Sequence, residues 1–351
     1  MSRNDRLRLA FAGLHPDRRR ALLEEWGSAA AVLVAIERGR VGVSRAVREA
    51  IVPAAECRRR LAAVGAAAFF SEGPGYPGHL AALPDAPDVL FGRGMLPDGP
   101  GVAIVGTRRS TRYGRSVAHA YGRAAAAAGW PVISGLARGI DGEAHRGCVE
   151  AGGVGVAVLG SGPDVVYPAE HRGLLDGLLS GGGAVVSEYP PGARPEPWRF
   201  PPRNRVIAGL SGVVVVVESA VTGGSLITAR AALDQGCTVM AVPGDVDRET
   251  SVGCNLLIRD GAVPVLGPDD FTEAVSLVLG PPASLHRGRT AESEDERRAA
   301  AVPLSGVTLD EAAALWSTDP AGAAAAAGRM ELAGLLRFEG GLLVPAGGSG
   351  R

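Results

Sequence analysis

The 351-residue chain contains no lysine, so all 36 of its Lys-or-Arg positions are arginine. Its formal net charge is −1, which argues against a protein that coats nucleic acid through an overall positive field. A cationic site must therefore be local and must use guanidinium groups, which hold phosphate in a forked geometry that an ammonium group cannot match.

Aromatic residues make up only 5% of the chain, and cysteine occurs four times. The core must therefore consist largely of Val, Leu, Ile and Ala. Because the cysteines lie far apart, with no C-x-x-C pair and no histidine at metal-ligand spacing, we expect buried free thiols, no metal site and no cofactor.

Long apolar runs are missing as well. No segment approaches the ~20 residues needed to cross a bilayer, and no apolar signal region follows the N-terminus. These absences predict a cytoplasmic protein. The length suits one large α/β domain with smaller additions.

The pattern of apolar, Pro and Gly residues divides the chain into five segments. Helical spacing over residues 1–72 predicts a small helical domain of the SAM or helix-hairpin-helix kind, and residues 73–100 predict a Pro/Gly-rich connector. Residues 101–280 form the core. A flexible linker with a cluster of charged residues is predicted over 281–300, and a winged-helix-like domain over 301–347. Its few cations, chiefly Arg329 and Arg337, leave duplex DNA binding and protein contact both open.

Short apolar runs alternate with helical segments in the core, which predicts a parallel sheet buried on both faces. The fold class is therefore α/β and Rossmann-like, with a mostly parallel sheet and helices on both faces. Right-handed crossovers would place the loops after the strands at one edge, where ligands of such sheets bind. The predicted strands are Val102–Val105, Pro131–Ser134, Val154–Leu159, Ala184–Ser187, Gly212–Val217, Thr238–Val242 and Val263–Leu266.

Two anion-holding patterns flank the predicted strand Gly212–Val217. Before it, Arg203 and Arg205, with Asn204 between them, could grip one phosphate as a guanidinium pair. After it, Thr222-Gly-Gly-Ser225 leaves backbone N–H groups uncovered, and its serine could cap a helix whose N-terminus carries partial positive charge. Together the patterns predict a surface for a negatively charged ligand.

Arginine is also concentrated after the first predicted strand. Arg108, Arg109 and Ser110 lie at the mouth of a helix that starts near Tyr113, where backbone donors and guanidinium groups can converge on a phosphate. No Asp or Glu occurs between residues 101 and 129. The basic charge is therefore local to this predicted edge.

The second turn, Ser134–Asp141, has glycines that permit tight turns. Asp141 is placed to cap the following helix and to hold neighbouring N–H groups or arginines. His145 on that helix has no nucleophile or carboxylate partner at recognisable spacing, so we predict a core or supporting residue rather than a catalytic one.

The connection over 187–200 combines prolines, aromatics and arginines, which suits an unpaired strand. A ring such as Phe200 can stack on a base for roughly 1–3 kcal/mol while Arg199 follows the phosphates. For Trp198, DNA contact and simple anchoring of the loop are both open.

These motifs, in this order, resemble the DprA/Smf family, also called DNA-processing protein A. The resemblance rests on Gly106–Gly114, Ser134–Asp141, Phe200–Ser211 with Thr222–Thr228, and Ala241–Gly244, and it is dense over residues 84–271. It implies binding of single-stranded DNA without strong sequence preference, usually as a homodimer, and loading of the RecA recombinase in natural transformation and recombination. It implies no catalytic step.

The resemblance also implies which residues act. It favours DNA contact by Phe200 and makes the surface around Leu257, Ile258 and Val263 a candidate dimer interface. The predicted DNA contacts are Arg108, Arg109, Ser110, Gly135, Arg138, Gly139, Arg199, Phe200, Arg203, Asn204, Arg205, Thr222, Gly223, Gly224 and Ser225.

One position departs from the family and one alternative competes with it. His171 stands where an asparagine is usual. The alternative is a nucleotide-binding sensor or a phosphoribohydrolase-like enzyme on a related Rossmann-like fold, with Glu218 as the reacting carboxylate. The residues after Gly224 do not supply the glycine and glutamate pattern of such enzymes. An NAD site is excluded, because no acidic ribose-binding residue follows the first glycine turn at a distance of about twenty residues.

Overall fold

A computed structural model describes residues 2–280, 294–302, 307–332 and 335–345. The chain divides into two units, residues 1–285 and 286–351. The first unit contains a nine-stranded sheet. Its strands are β1 Ala67–Phe70, β2 Val89–Gly94, β3 Gly101–Val105, β4 Val132–Ser134, β5 Gly155–Leu159, β6 Ala184–Ser187, β7 Ser211–Val216, β8 Thr238–Ala241 and β9 Val263–Pro264.

The strand order is β1-β2-β6-β5-β4-β3-β7-β8-β9. Strand β2 pairs antiparallel with β1 and β6, and all pairs from β6 to β9 are parallel. The chain moves outward from β3 to β6 on one side, and then returns to add β7 to β9 on the other. Strands β3 and β7 therefore flank the switch point of the sheet, where the loops diverge and leave a crevice.

Helices cover both faces of this sheet. Those of the first unit are α1 Arg3–Phe11, α2 Pro16–Trp26, α3 Ala29–Glu37, α4 Arg45–Ala50, α5 Ala54–Ala63, α6 Gly78–Ala81, α7 Arg112–Ala128, α8 Ile140–Glu150, α9 Arg172–Ser180, α10 Phe200–Gly209, α11 Gly224–Asp234, α12 Glu249–Arg259 and α13 Pro268–Leu279. Helices α10, α11 and α12 pack on one face, and α7, α8 and α13 pack on the other.

Alternation along each strand explains these two layers. In β7, for example, Val214 and Val216 join one core cluster, while Val213 and Val215 join the other. Because successive side chains point to opposite faces, a strand covered on both sides must be apolar throughout. The predicted α/β class, with a mostly parallel sheet and helices on both faces, is confirmed, and each predicted strand is present with slightly different ends.

The N-terminal segment differs from its prediction. Helices α1 to α5 are present, but β1 lies within the segment 1–72 and β2 within the predicted connector 73–100. Phe91 of β2 is fully buried and meets Phe11 of α1 edge-on, with ring centroids 5.2 Å apart. The prolines around β2 predicted an extended connector, but the structure has a strand there. This strand extends the sheet toward the N-terminal helices.

The described residues of the second unit form three helices and a hairpin: α14 Glu294–Ala301, α15 Leu309–Leu315, α16 Pro320–Leu332, and the antiparallel strands β10 Leu336–Glu339 and β11 Leu342–Pro345. Trp316, Met330 and Leu343 belong to its core. Residues 281–293 of the predicted linker (281–300) lie outside the described residues. Residues 294–300 belong to α14. Assignment of this unit as a winged helix stays a prediction.

Candidate functional site

A cavity of about 380 Å³ opens at the switch point, between the loops that follow β3 and β7. The loop after β3 contributes Gly106 and Arg108, α10 contributes Phe200 and Arg203, and the start of α11 contributes Gly224. The first residue of α10 precedes two prolines, which suit a helix start because their missing N–H groups need no partner there.

Arg203 lies almost fully buried in the cavity wall, with 5% of its surface exposed. Its Nη1 donates to the carbonyl oxygen of Gly135 at 2.9 Å and to that of Val158. Burial lowers the pKa of Arg203 to about 10, so the group remains charged at neutral pH. A Cβ on Gly135 would clash with this Nη1, so any larger residue here would force the buried guanidinium to shift.

Asp141 is the carboxylate in the lining of this cavity. Its Oδ2 accepts the N–H of Gly135 at 3.1 Å, and burial raises its pKa while the nearby Arg203 opposes that shift. The predicted role in holding a neighbouring N–H group is therefore confirmed, and Arg203 acts on Asp141 through its charge. The predicted cap is wrong, because the N-cap of α8 is Gly139, at φ +76°, and Asp141 lies in the first turn.

Arg108 and Arg109 form the exposed side of the cavity. The guanidinium carbon of Arg108 lies 4.8 Å from the ring centroid of Phe200, over its face. Within the described residues, neither arginine forms an ion pair. Ser110 follows them, half-buried, and Thr111 rather than a later residue caps α7 by accepting the N–H of Gly114.

The N-terminus of α11 lines the opposite side. Its N-cap, Gly223, has no side chain to satisfy the first N–H groups of the helix. Asn204 donates from Nδ2 to the carbonyl oxygen of Gly224 at 3.1 Å and so ties α10 to this turn. The predicted cap by Ser225 is wrong, because its hydroxyl donates to Ser219 Oγ at 2.8 Å. Thr222 is exposed and lines a neighbouring depression instead.

Arg205 does not reach the cavity. Residues two apart on a helix point in different directions, and the Arg205 Nη2 donates to Glu188 Oε2 at 2.8 Å. The other oxygen of Glu188 accepts from Arg19 of α2 at 2.9 Å. The predicted guanidinium pair of Arg203 and Arg205 is therefore wrong, and Arg205 connects the core to the N-terminal helices.

Arg199 is likewise occupied away from the cavity. Its guanidinium carbon lies 4.9 Å from the ring centroids of both Tyr189 and Trp198, and its Nη1 donates to the Arg194 carbonyl at 2.6 Å. Trp198 also stacks on His15, with centroids 5.4 Å apart. This cluster anchors the loop before α10. Trp198 is still 37% exposed, and DNA contact by this residue stays a prediction.

Arg138 lines a second, smaller depression of about 190 Å³. It is exposed, and its guanidinium pairs with both carboxylate oxygens of Glu170. Arg108, Arg109 and Phe200 line both this depression and the main cavity, so the two adjoin. Gly135 also borders the smaller one.

The family model for DNA recombination-mediator protein A matches residues 67–276. The chain belongs to the DprA/Smf family. Protein Smf of Escherichia coli K12 is 43% identical over 206 residues, and DNA processing protein DprA of Bacillus subtilis is 40% identical over 201 residues. These matches cover 58% and 56% of this chain, but 55% and 67% of the relatives, so the chain spans little more than half the length of the first.

Two solved structures of DprA/Smf proteins resemble this one. DprA from Streptococcus pneumoniae gives a TM-score of 0.62 at 32% identity, covering 75% of this chain and 94% of that one. DNA processing protein A from Helicobacter pylori, whose structure is described for its single-stranded DNA binding mode, gives 0.54 at 26% identity, covering 60% and 95%.

Glu218 and His145 are the two residues considered for an enzymatic role, and in this DprA/Smf chain neither lines the cavity. Glu218 is 2% exposed and accepts hydrogen bonds from the Thr111 N–H at 2.8 Å and the Thr111 hydroxyl at 2.6 Å. It lies outside the cavity lining. His145 is fully buried, and burial lowers its pKa to about 3. Glu218 joins β7 to α7, and His145 is a core residue, as predicted.

The residues predicted to form a dimer interface lie on neighbouring elements. Leu257 and Ile258 of α12 pack, partly buried, against the core. Val263 in β9 is 41% exposed, at the edge of the sheet. Their role in association stays a prediction for this family member.

Three residues outside the predicted contacts also line the two depressions: Tyr167, Ile207 and Thr228. Tyr167 carried a signal, since it is an aromatic residue in a glycine-rich turn after a predicted strand. Ile207 and Thr228 carried none, because ordinary helix residues face a cavity only through the tertiary arrangement. His171 packs beneath the same loops, where its Nδ1 lies 2.9 Å from the Leu136 carbonyl oxygen.

Proposed function

We propose that this chain binds single-stranded DNA in the cavity at the switch point, without strong sequence preference. One observation carries the proposal: the exposed Arg108 and Arg109, the buried Arg203 and the uncapped N-terminus of α11 converge on one cavity. Each of these groups attracts phosphate. The Helicobacter pylori relative, described for its single-stranded DNA binding mode, supports the same ligand class.

The lining also supports sequence tolerance. Arginines and backbone N–H groups bind the phosphate backbone, which carries no direct sequence information. A ring such as Phe200 can stack on any base, because every base has a π-face. The remaining predicted contacts that border the two depressions, including Arg138 and Gly135, are proposed to serve the same strand.

We further propose that the protein acts in DNA recombination and natural transformation, as a homodimer that loads RecA onto the bound strand. The mediator description of its family supports the RecA role. The exposed Val263 on the edge strand β9 supports the dimer. A cytoplasmic location stays a prediction. Across the residues that the structure describes, no helix combines the length and apolar character needed to span a membrane.

The DNA proposal is tested by fluorescence anisotropy of labelled oligo-dT and of the matching duplex over a salt series. Arg108→Ala should weaken binding of the single strand and reduce the slope of log affinity against log salt by about 0.7, which is the loss of one phosphate contact. Arg123→Ala is the matched control, since Arg123 is exposed on α7 and lies outside the cavity lining. Equal effects of the two variants, or no preference for the single strand, would contradict the proposal.

The partner proposals need separate measurements. Sedimentation of the protein should show a dimer that Val263→Arg dissociates, whereas Val34→Arg, at an exposed position of α3, leaves it intact. RecA loading is measured as the lag before RecA hydrolyses ATP on single-stranded DNA. The lag should shorten with wild type and remain long with Arg108→Ala, and an unchanged lag with wild type refutes a loading role.

A further inference from the structure

A basic segment, residues 38–48, lies among the N-terminal helices, outside the site described above. It runs from the end of α3 into α4 and contains four arginines and no Asp or Glu. The acids that flank it are already paired, Glu37 with Arg8 at 3.5 Å and Glu49 with Arg45 at 2.6 Å. Three arginines of the segment are exposed and form no ion pair among the described residues: Arg38, Arg40 and Arg48.

Valines fix this segment to the fold. Val41 is 4% exposed, and Val43 and Val47 pack, partly buried, against the same core cluster of the N-terminal helices. The N–H groups of Arg40 and Val41 both donate to the carbonyl oxygen of Ala35, at 2.8 and 3.3 Å. Because the valines face inward, the arginines between them project from a packed turn toward solvent.

The backbone between the arginines is uncovered. No group among the described residues accepts the N–H of Gly42 or of Val43. Gly42 is exposed, and a Cβ added to it would meet nothing within 4 Å. An anion can therefore approach this turn closely, with backbone donors in front of it and guanidinium groups on either side.

The composition of the segment indicates which anion it suits. It has no aromatic residue, and none of its large apolar side chains is exposed. A protein partner is held by buried aromatic or apolar anchors, and a helix that lies on a membrane inserts an apolar face. Guanidinium and N–H groups alone suit a phosphate backbone, and without a ring they cannot stack on unpaired bases. Duplex DNA offers the densest such backbone, with one charge per about 1.7 Å of its axis.

The segment is also separate from the cavity at the switch point. Helix α3 packs on α1 and α2, and α1 packs on β2. Strands β6, β5 and β4 lie between β2 and β3 in the sheet. At about 4.8 Å per strand, β2 is roughly 20 Å from the switch point. A ligand in the cavity therefore leaves the basic segment free.

We propose that the basic segment 38–48 is a second nucleic-acid site, which binds the phosphate backbone of duplex DNA. This inference goes beyond the proposed function, because the cavity takes a single strand and the segment takes a duplex. The two sites use different arginines, so each can be removed without the other.

The first test measures binding of a labelled duplex by fluorescence anisotropy over a salt series. The segment variant carries Arg38→Gln, Arg40→Gln and Arg48→Gln. It should bind the duplex more weakly than wild type, and the slope of log affinity against log salt should fall by about 2.7, since each phosphate contact contributes about 0.9. Its binding of short oligo-dT should stay as in wild type, whereas Arg108→Ala should weaken oligo-dT and leave the duplex unaffected.

Two further variants separate local contact from overall charge. The charge control carries Arg58→Gln, Arg59→Gln and Arg60→Gln, which removes the same charge from exposed positions of α5. It should bind the duplex nearly as wild type does. Gly42→Ala keeps every charge and meets no neighbour, but its methyl group covers the open turn, so it should weaken duplex binding severalfold.

Three results overturn the second site. Equal losses in the segment variant and the charge control would mean that the duplex responds only to overall charge. Duplex binding that the segment variant leaves intact would place the duplex elsewhere. Loss of binding to vesicles of anionic lipid, with duplex binding retained, would assign the segment to a membrane surface instead.

Discussion

Replacing Glu188 with glutamine tests whether a buried ion network holds the N-terminal helices to the core. Glu188 accepts from Arg19 at 2.9 Å and from Arg205 at 2.8 Å, and the three side chains are 3%, 6% and 14% exposed. Glutamine keeps the shape but removes the negative charge and turns an NH₂ group toward a guanidinium. Asp85, 3.9 Å from the Arg205 Nε, is then the nearest remaining carboxylate of the network.

The expected cost is large because two cations stay buried after their common partner is neutralised. Removing one member of a buried ion pair costs about 3–5 kcal/mol. That is a substantial part of the ~5–15 kcal/mol by which proteins are typically stable. The matched control is Glu49→Gln, because the Arg45–Glu49 pair is 91% and 62% exposed, and such pairs contribute about 0–0.5 kcal/mol.

The free energy of unfolding is measured by urea denaturation, followed by circular dichroism, for both variants and wild type. We expect Glu188→Gln to lower it by several kcal/mol and the control to leave it almost unchanged. A loss below ~1 kcal/mol for Glu188→Gln, similar to the control, would refute the reasoning, since it would mean that the two guanidinium groups are solvated elsewhere or do not need the carboxylate.

Further predictions concern the cavity and the core. Gly135→Ala places a Cβ against Arg203 Nη1, so the arginine must move. The resulting overpacking should lower stability by about 1–3 kcal/mol and weaken oligo-dT binding measured by anisotropy. Glu170→Gln frees Arg138 from its partner and should tighten oligo-dT binding severalfold, with a steeper salt dependence. His145 stays neutral in the fold, because burial lowers its pKa to about 3, so the unfolded chain binds its proton first and stability falls as pH falls below about 6.5. Wild type should therefore lose about 2 kcal/mol more than His145→Leu between pH 7 and pH 5 in urea denaturation.

Each of these three predictions would be contradicted by a specific result. Gly99→Ala is the control for the first, because an added Cβ there meets nothing within 4 Å, and equal binding by the two alanine variants contradicts the role given to Gly135. Unchanged or weaker binding by Glu170→Gln shows that the carboxylate does not compete with DNA. Parallel pH profiles for wild type and His145→Leu would show that folding does not lower the pKa of His145.

Much of the fold follows from local pattern. A strand such as β7 is apolar at every position, and only a sheet covered on both faces explains such a run. Strands β1 and β2 were not predicted. Strand β1 (Ala67–Phe70) is short, and β2 (Val89–Gly94) lies among prolines. The pairing of β2 with β1 and with β6 joins separate parts of the chain, and no local signal encodes it.

The sequence predicted which loops form the candidate site. It did not predict which side chains pair with the arginines there. Glycine turns after β3 and β7 indicated where a ligand would bind, and Arg108 lies there. Arg205 looked equivalent to Arg203 in sequence, but helical geometry turns it toward Glu188, which arrives from a distant part of the chain. The pairing of a buried carboxylate with such an arginine cannot be predicted from the sequence, because it depends on the tertiary fold.

The separation of charge within the cavity has a kinetic consequence. Arg203 and Asp141 lie side by side in its wall and offset each other, whereas Arg108 and Arg109 stand exposed without an ion pair among the described residues. Exposed charges accelerate encounter with an anionic ligand and make it sensitive to salt, and buried contacts govern how long the ligand stays. For the proposed single-stranded ligand, capture and retention would thus depend on different residues, so substitutions should change the association rate and the residence time independently.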